Sequence, residues 1–199
     1  MPRFLTESDE SKFRHELCDV ATRLFTEGGL AAVTMRNIAH ELGCSRTTPY
    51  RYFTDKADII ATVRASGFAR LADRLISVGD SDDVIERIRE LGHQYVEFAI
   101  AEPAVYRLMF GMSQPDGEPS LLLEAEVERN RVAVRNAARE AVAAGRLHGD
   151  PGTLARLYWA GLHGLVELHL DDKFSPDHDL DSLTSAMVDT LIAGMRSPA

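Results

Sequence analysis

Apolar residues recur along this chain at helical spacing almost from end to end, and nowhere do they alternate as a half-buried strand would. Phe13, Leu17, Val20, Ala21, Leu24 and Phe25 form one stripe, and Ile59, Ile60, Val63, Phe68, Leu71 and Leu75 another. A third runs through Val84, Ile85, Ile88, Leu91, Tyr95, Phe98 and Ala99. No internal repeat stands out. The pattern predicts an all-α fold, and its punctuation divides the chain into about nine helices. Gly28-Gly29 stops the first. Thr34 can cap a short one that Gly43 ends. Ser45 opens the next, and Asp55, with Asp58 three residues on, caps a longer one running to about Val78. Asp80 to Asp83 start a helix that ends before Pro103, and Pro103 suits the first position of a short helix carrying Val105, Tyr106, Met109 and Phe110. Residues 111–119 hold two Pro and two Gly and read as a loop. Three helices follow, over about 120–144, 151–172 and 179–195.

The chain has 199 residues, enough for one large core or two smaller ones. Its 45% apolar and 27% charged residues are ordinary for a globular protein. No stretch reaches the ~18 apolar residues of a membrane span, and the first residues carry no signal-peptide core, so a cytoplasmic protein with no membrane partner is expected. Cys18 and Cys44 are the only cysteines, which fits a reducing compartment. A net charge of −9 argues at first against nucleic acid. Its distribution reverses that. Residues 1–60 hold 8 Lys+Arg against 9 Asp+Glu, and residues 61–199 hold 14 against 22. Residues 34–56 carry Arg36, Arg46, Arg51 and Lys56 against Glu41 and Asp55, net +2. Acidity is concentrated away from one locally basic segment.

That segment, Thr34-Met-Arg-Asn-Ile-Ala-His-Glu-Leu-Gly-Cys-Ser-Arg-Thr-Thr-Pro-Tyr-Arg-Tyr-Phe-Thr-Asp-Lys56, reads as two short helices joined by a Gly-containing turn. Such a helix-turn-helix lays one helix across a DNA backbone and puts the next in the major groove. Thr34 offers a hydroxyl and free N–H groups to a phosphate. Arg36 adds charge to the same segment. Arg46, Thr47, Thr48 and Arg51 are suited to base edges, arginine to guanine and the threonine methyl to thymine. On a generic surface helix the same side chains would only meet solvent. Ile38, Ala39, Leu42 and Phe53 are assigned to the core, and Cys44 to a small plug in the turn.

Four stretches carry a resemblance: Ala21-Thr-Arg-Leu-Phe-Thr-Glu-Gly-Gly29, Thr34-Met-Arg-Asn-Ile-Ala39, Gly43-Cys-Ser-Arg46 and Tyr50-Arg-Tyr-Phe-Thr-Asp-Lys56. Together they resemble the N-terminal domain of the TetR/AcrR family of bacterial transcriptional regulators. The resemblance implies a DNA-binding domain over residues 1–58 and a ligand-sensing, dimerising domain over 59–199. It also implies a homodimer whose two reading heads meet half-sites of a near-palindromic operator. Tyr50, Tyr52 and Lys56 resemble family positions that touch phosphates. Pro49 departs from the pattern, standing where relatives carry an aliphatic residue. A proline there lacks an N–H and disfavours helical geometry at Thr48. The reading helix is therefore expected to begin late, with Thr48 as cap and Pro49 first, which leaves Arg46 and Thr47 outside it.

The remainder concentrates aromatic and sulfur side chains: Tyr95, Phe98, Tyr106, Met109, Phe110 and Met112, then Trp159 and His163, with the aliphatic Val166 close by. Tyr106 to Gly111 and Trp159 to Gly164 resemble the C-terminal domain of a TetR subgroup marked by a Trp-His-Gly signature. A small, largely apolar effector is expected against Tyr95, Phe98, Tyr106, Met109, Phe110, Trp159, His163 and Val166, although such a stripe also makes plain core. His163 and Glu167 lie four apart, but no further ligand completes a metal site, and no cofactor is expected. The helices near 151–172 and 179–195 carry more leucine and methionine than one face needs, and are predicted to form a four-helix dimer interface. No nucleophile–base set or phosphate loop suggests an enzyme. The expected function is a ligand-released repressor. The alternative is a ligand-independent DNA binder or activator.

Overall fold

The computed structural model describes residues 7–111, 120–175 and 179–196, with side chains from residue 10 onward. Met112 and nearly all of the predicted 111–119 loop lie outside the described residues. Among those described, eight α-helices and one 3-10 turn form, and no strand beyond a lone bridge between Leu147 and Arg196. The helices are α1 (Glu7–Ala32), α2 (Met35–Glu41), α3 (Lys56–Ser77), α4 (Val84–Ala101), α5 (Pro103–Phe110), α6 (Leu121–Ala143), α7 (Pro151–Leu170) and α8 (Leu180–Met195). The remaining predicted helix, the one expected to open at Ser45, is reduced to the 3-10 turn Pro49–Arg51.

The chain divides into two compact units, which we term the head (Met1–Gly67 and Ala104–Glu124) and the body (Phe68–Pro103 and Ala125–Ala199). The division runs through α3 and assigns α5 to the head, whereas the family resemblance implies one boundary after residue 58.

Within the head, Leu17, Val20 and Leu24 of α1 pack with Val33, Met35 and Ile38, with Phe53, and with Ile59, Ile60 and Val63 of α3. Leu108 of α5 completes this core. Gly29 takes φ 65° inside α1 and breaks its helical course where the glycine pair was expected to stop it. The seven residues of α2 are too few to hold a helix alone, so its ends are fixed by caps. The Asn37 N–H donates to the Thr34 hydroxyl at 3.1 Å. At the other end Gly43, at φ 61°, lets its own N–H reach the His40 carbonyl and the Cys44 N–H reach that of Ala39. The start of α3 is fixed by paired aspartates: the Asp58 N–H donates to Asp55, and the Thr54 N–H to Asp58, both at 2.9 Å.

Within the body, α4, α6, α7 and α8 surround a core that includes Ile88, Leu91, Ala138, Leu154, Leu165, Val188 and Ile192. Asp83, Asp150 and Asp179 cap α4, α7 and α8 by accepting from Ile85, Thr153 and Ser182. The Tyr158 hydroxyl crosses to the Ile88 carbonyl at 2.6 Å, running over Gly92, where a Cβ would lie 2.3 Å from that oxygen. Arg89 pairs with Asp189 at 2.8 Å, and Arg87 with Glu140 at 2.6 Å. Glu126 and Glu128 pair with Arg129, Arg131 and Arg135, as a solvated helix surface should.

The apolar side chains of α7 and α8 separate into three groups. Leu154, Leu162, Leu165, Ile192 and Met195 are buried in the body, while Leu157 and Leu168 are about half exposed at 53% and 47%. Leu170, Leu183, Met187 and Leu191 are partly buried. Gly164 has open space where a Cβ would stand.

Candidate nucleic-acid interface

The reading segment follows directly from the end of α2. The Thr48 N–H bonds the Ser45 carbonyl at 2.9 Å, closing a turn, and the 3-10 turn starts at Pro49. Proline has no N–H to return to Ser45, so an α-helix cannot run through this point with its full ladder. The late start expected from Pro49 is what the backbone shows. Two details differ from expectation. Thr48 keeps αR dihedrals (φ −59°, ψ −48°) despite the proline that follows, and its side chain makes no capping bond. The turn closed on Ser45 holds it there, and the Ser45 hydroxyl instead bonds the hydroxyls of Thr47 and Thr48 at 3.0 and 2.8 Å.

The turn has an inner and an outer side. Pro49 and Phe53 are buried, with Phe53 at 2% exposure in the head core. Arg46, Thr47, Tyr50 and Arg51 are exposed, Tyr50 to 59%. Arg36 is exposed on α2. Thr48, Tyr52 and Lys56 are partly buried. Tyr52 rests its ring on Phe13, centroids 4.9 Å apart, and Lys56 donates to the Leu30 carbonyl at the end of α1. Thr34 spends its hydroxyl on the α2 cap. Of the nine candidates, Arg36, Arg46, Thr47, Tyr50 and Arg51 therefore face outward, Thr48 is partly buried and bonded to Ser45, and Thr34, Tyr52 and Lys56 also brace the head.

Three bracing residues were not legible. Arg14 donates to the Tyr52 carbonyl at 2.6 Å and lies over the Phe53 ring, 4.3 Å from its centroid. Arg23 pairs with Glu41 at 2.7 Å, and Asn37 donates to the Ala32 carbonyl at 2.9 Å. The partners of Arg14 and Arg23 are far away in sequence, and no local spacing announces them. Cys44 is partly buried in the turn, and burial raises the Cys18 thiol to about 11, so that thiol stays protonated.

The eight effector candidates are divided between the units. Tyr106 and Met109 are buried in the head, and Tyr106 meets Phe110 at 4.8 Å between ring centroids. Tyr95, Phe98, Trp159, His163 and Val166 belong to the body. There the Trp159 indole N–H donates to the Tyr95 hydroxyl at 3.1 Å, and that hydroxyl lies 3.5 Å from His163 Nδ1. His163 stacks on Trp159 at 5.2 Å, and burial holds its pKa below the usual imidazole value. Phe98 and Val166 are buried. A body cavity of about 20 Å³, lined by residues such as Ile88, Leu91, Leu154 and Tyr158, includes none of the eight. Among the described residues no three His, Cys, Asp or Glu side chains converge as a metal site, and no helix is long and apolar enough to cross a membrane.

Residues 17–63 match the family described as bacterial regulatory proteins of the tetR family, and residues 88–191 match the tetracyclin repressor-like C-terminal domain. An uncharacterised HTH-type transcriptional regulator of Mycobacterium tuberculosis is 32% identical over 102 residues. The match covers 50% of this chain and 43% of that relative, so the chain spans less than half the length of the relative. A solved protein of unknown function from Rhodococcus sp. RHA1 shares the fold at a TM-score of 0.81 and 24% identity, covering 92% of this chain and 95% of that one. A TetR family regulator from Marinobacter aquaeolei VT8 superposes at a TM-score of 0.76 and 16% identity, covering 97% and 100%.

Proposed function

This chain belongs to the TetR family of bacterial transcriptional regulators, and from that premise we propose that it is a homodimeric repressor released from a near-palindromic operator by a small, largely apolar effector. The observation that carries the DNA-binding part is the two-sided reading segment. Pro49 and Phe53 fasten it to the head, and Arg46, Thr47, Tyr50 and Arg51 are left facing outward. Arginines serve both phosphates and guanine edges, and Tyr50 and Lys56 suit phosphates. The short turn keeps Arg46 and Thr47 outside the helical part, so Arg51 is its main base reader, with Tyr50 beside it for a phosphate.

Dimerisation is supported by the apolar surface that the body leaves over. Leu157, Gly164 and Leu168 on α7, with the partly buried Leu183 on α8, are the side that a second copy would cover, beside Met187 and Leu191, which pack on α7 at Gly161. Effector release is supported by α5. Its Leu108 belongs to the head core, so a molecule that shifts α5 disturbs the packing beneath the reading turn. Coupling of this kind is worth ~1–3 kcal/mol in operator affinity.

A second reading, a ligand-independent binder, draws on the body cavity. Its volume of about 20 Å³ admits little more than one water, and effector pockets run to roughly 300 Å³ or more.

Selection of bound fragments from random duplex DNA tests the function. A two-fold symmetric site is expected, with log affinity falling against log salt by about 0.9 for each phosphate neutralised. Arg51→Ala is expected to lower affinity by about 1–3 kcal/mol and relax preference at one base pair in each half-site. No preference for any duplex over bulk competitor at low salt would refute the function. Operator affinity indifferent to a broad compound screen would favour the second reading.

A further inference from the structure

Arg64 stands on α3, three residues before Gly67, within the head. Its Nη2 donates to the Met109 carbonyl at 3.0 Å, one of the last carbonyls of α5. Terminal carbonyls of a helix lack partners within it, so this bond ties α5 to α3. The rest of the guanidinium is unused. Among the described residues the buried Nε and Nη1 have no hydrogen-bond partner, and no carboxylate pairs with Arg64. Burial lowers its pKa, yet a guanidinium stays charged in proteins. Arg64 as a whole is only partly buried, but its two buried N–H donors lose water without gaining an acceptor, and one carbonyl does not call for a guanidinium.

The geometry of the group says what would. Nη2 carries two hydrogens, one toward each edge of the planar fork. A single bond to Met109 occupies one edge, and the other keeps two parallel N–H groups, the arrangement that matches two oxygens of one oxyanion. Around it the head is apolar. Val105 and Met109 side chains would both meet a Cβ on Gly67 at 2.7 Å, and Tyr106 and Phe110 pack together on the same α5. We infer that Arg64 is the receptor for an oxyanion, carboxylate or phosphate, carried by an otherwise apolar effector. The inference rests on the effector-released reading and narrows the chemistry of the effector. An oxyanion on the free edge pulls on the same guanidinium that ties α5, whose Leu108 lies in the head core, to α3.

The test compares decanoate, decyl phosphate and decanol on the full-length protein, following Trp159 emission and melting temperature. The charged probes are expected to bind wild type more tightly than decanol, and whichever anion binds better identifies the headgroup. Arg64→Gln keeps a donor for Met109 but neither charge nor fork. It is expected to fold and to lose the preference for the anions by on the order of tenfold to a hundredfold. Arg64→Lys should retain part of that preference. Equal response of wild type to charged probes and decanol would overturn the inference, as would undiminished anion preference in Arg64→Gln. Operator affinity measured alongside separates the two ideas. Anion binding through Arg64 that leaves operator affinity unchanged upholds the receptor and removes effector release. Release by a probe that acts equally on Arg64→Gln does the reverse.

Discussion

Head and body are both helical, but they are specified over different ranges. In the head, α2 has only seven residues, and its ends are set by neighbours in sequence: the Thr34 hydroxyl, the αL glycine at 43, and then Pro49, which forces a 3-10 turn. In the body, α7 and α8 have 20 and 16 residues, and what fixes them is where distant side chains meet, as Tyr158 does with Ile88 across Gly92. A short helix with caps can present polar groups on an exposed face, because little of its stability depends on burying that face. Long helices that are apolar on two sides bury one within their own unit and leave the other to be covered.

That contrast can be broken at its strongest point by Gly92→Ala. The added methyl would lie 2.3 Å from the Tyr158 oxygen and 2.9 Å from Val188. Overpacking of this kind is expected to destabilise the protein by about 1–3 kcal/mol, read as a lowered urea midpoint, even though alanine is the better helix former. An unchanged midpoint would mean that body packing is looser than the close approach implies. Next in size is Thr34→Ala, which removes the α2 cap at a cost of about 1 kcal/mol. Its sharper sign is local: the Asn37 amide should lose protection from hydrogen exchange while body amides keep theirs.

The smallest effect expected is on acidification, and it separates the α2 cap from the body caps by chemistry. Thr34 has no proton to gain. Asp150 is held below the usual 3.8 by the Thr153 N–H and then its hydroxyl, and Asp179 by the Ser182 hydroxyl and then its N–H. The stabilisation they give is complete above 3.8 and is lost as pH falls through their lowered native values. His163, lowered from 6.5 by burial, acts earlier. Below 6.5 the unfolded chain takes up its proton first, so stability declines toward the native value. Protection at Thr153 and Ser182 should therefore fall in acid before protection at Asn37. Equal loss at all three would dissolve the distinction.

Much of the head was legible because its signals are covalent neighbours. Thr34 lies three residues before Asn37, Asp55 three before Asp58, and Pro49 carries its missing N–H wherever it stands. Helical period likewise fixed the helix class of the body and most of its boundaries. What spacing could not show is which of several apolar or cationic residues on a helix meets which distant partner. Leu154 and Leu157 look equivalent in sequence, yet one is buried at 7% exposure and the other exposed at 53%. Arg46 and Arg64 share one residue type, yet one faces solvent and the other keeps two buried nitrogens without partners among the described residues.

The order of the residues alone determined an all-helical chain with a capped, proline-shortened reading segment, since caps, turns and period act within a few positions of one another. Only the tertiary structure decided that Leu108 of α5 completes the head core, that Gly92 must leave room for Tyr158, and that Arg64 has donors to spare. Burial and hydrogen-bond satisfaction depend on what the rest of the chain brings alongside a residue, and that is set by packing between distant segments.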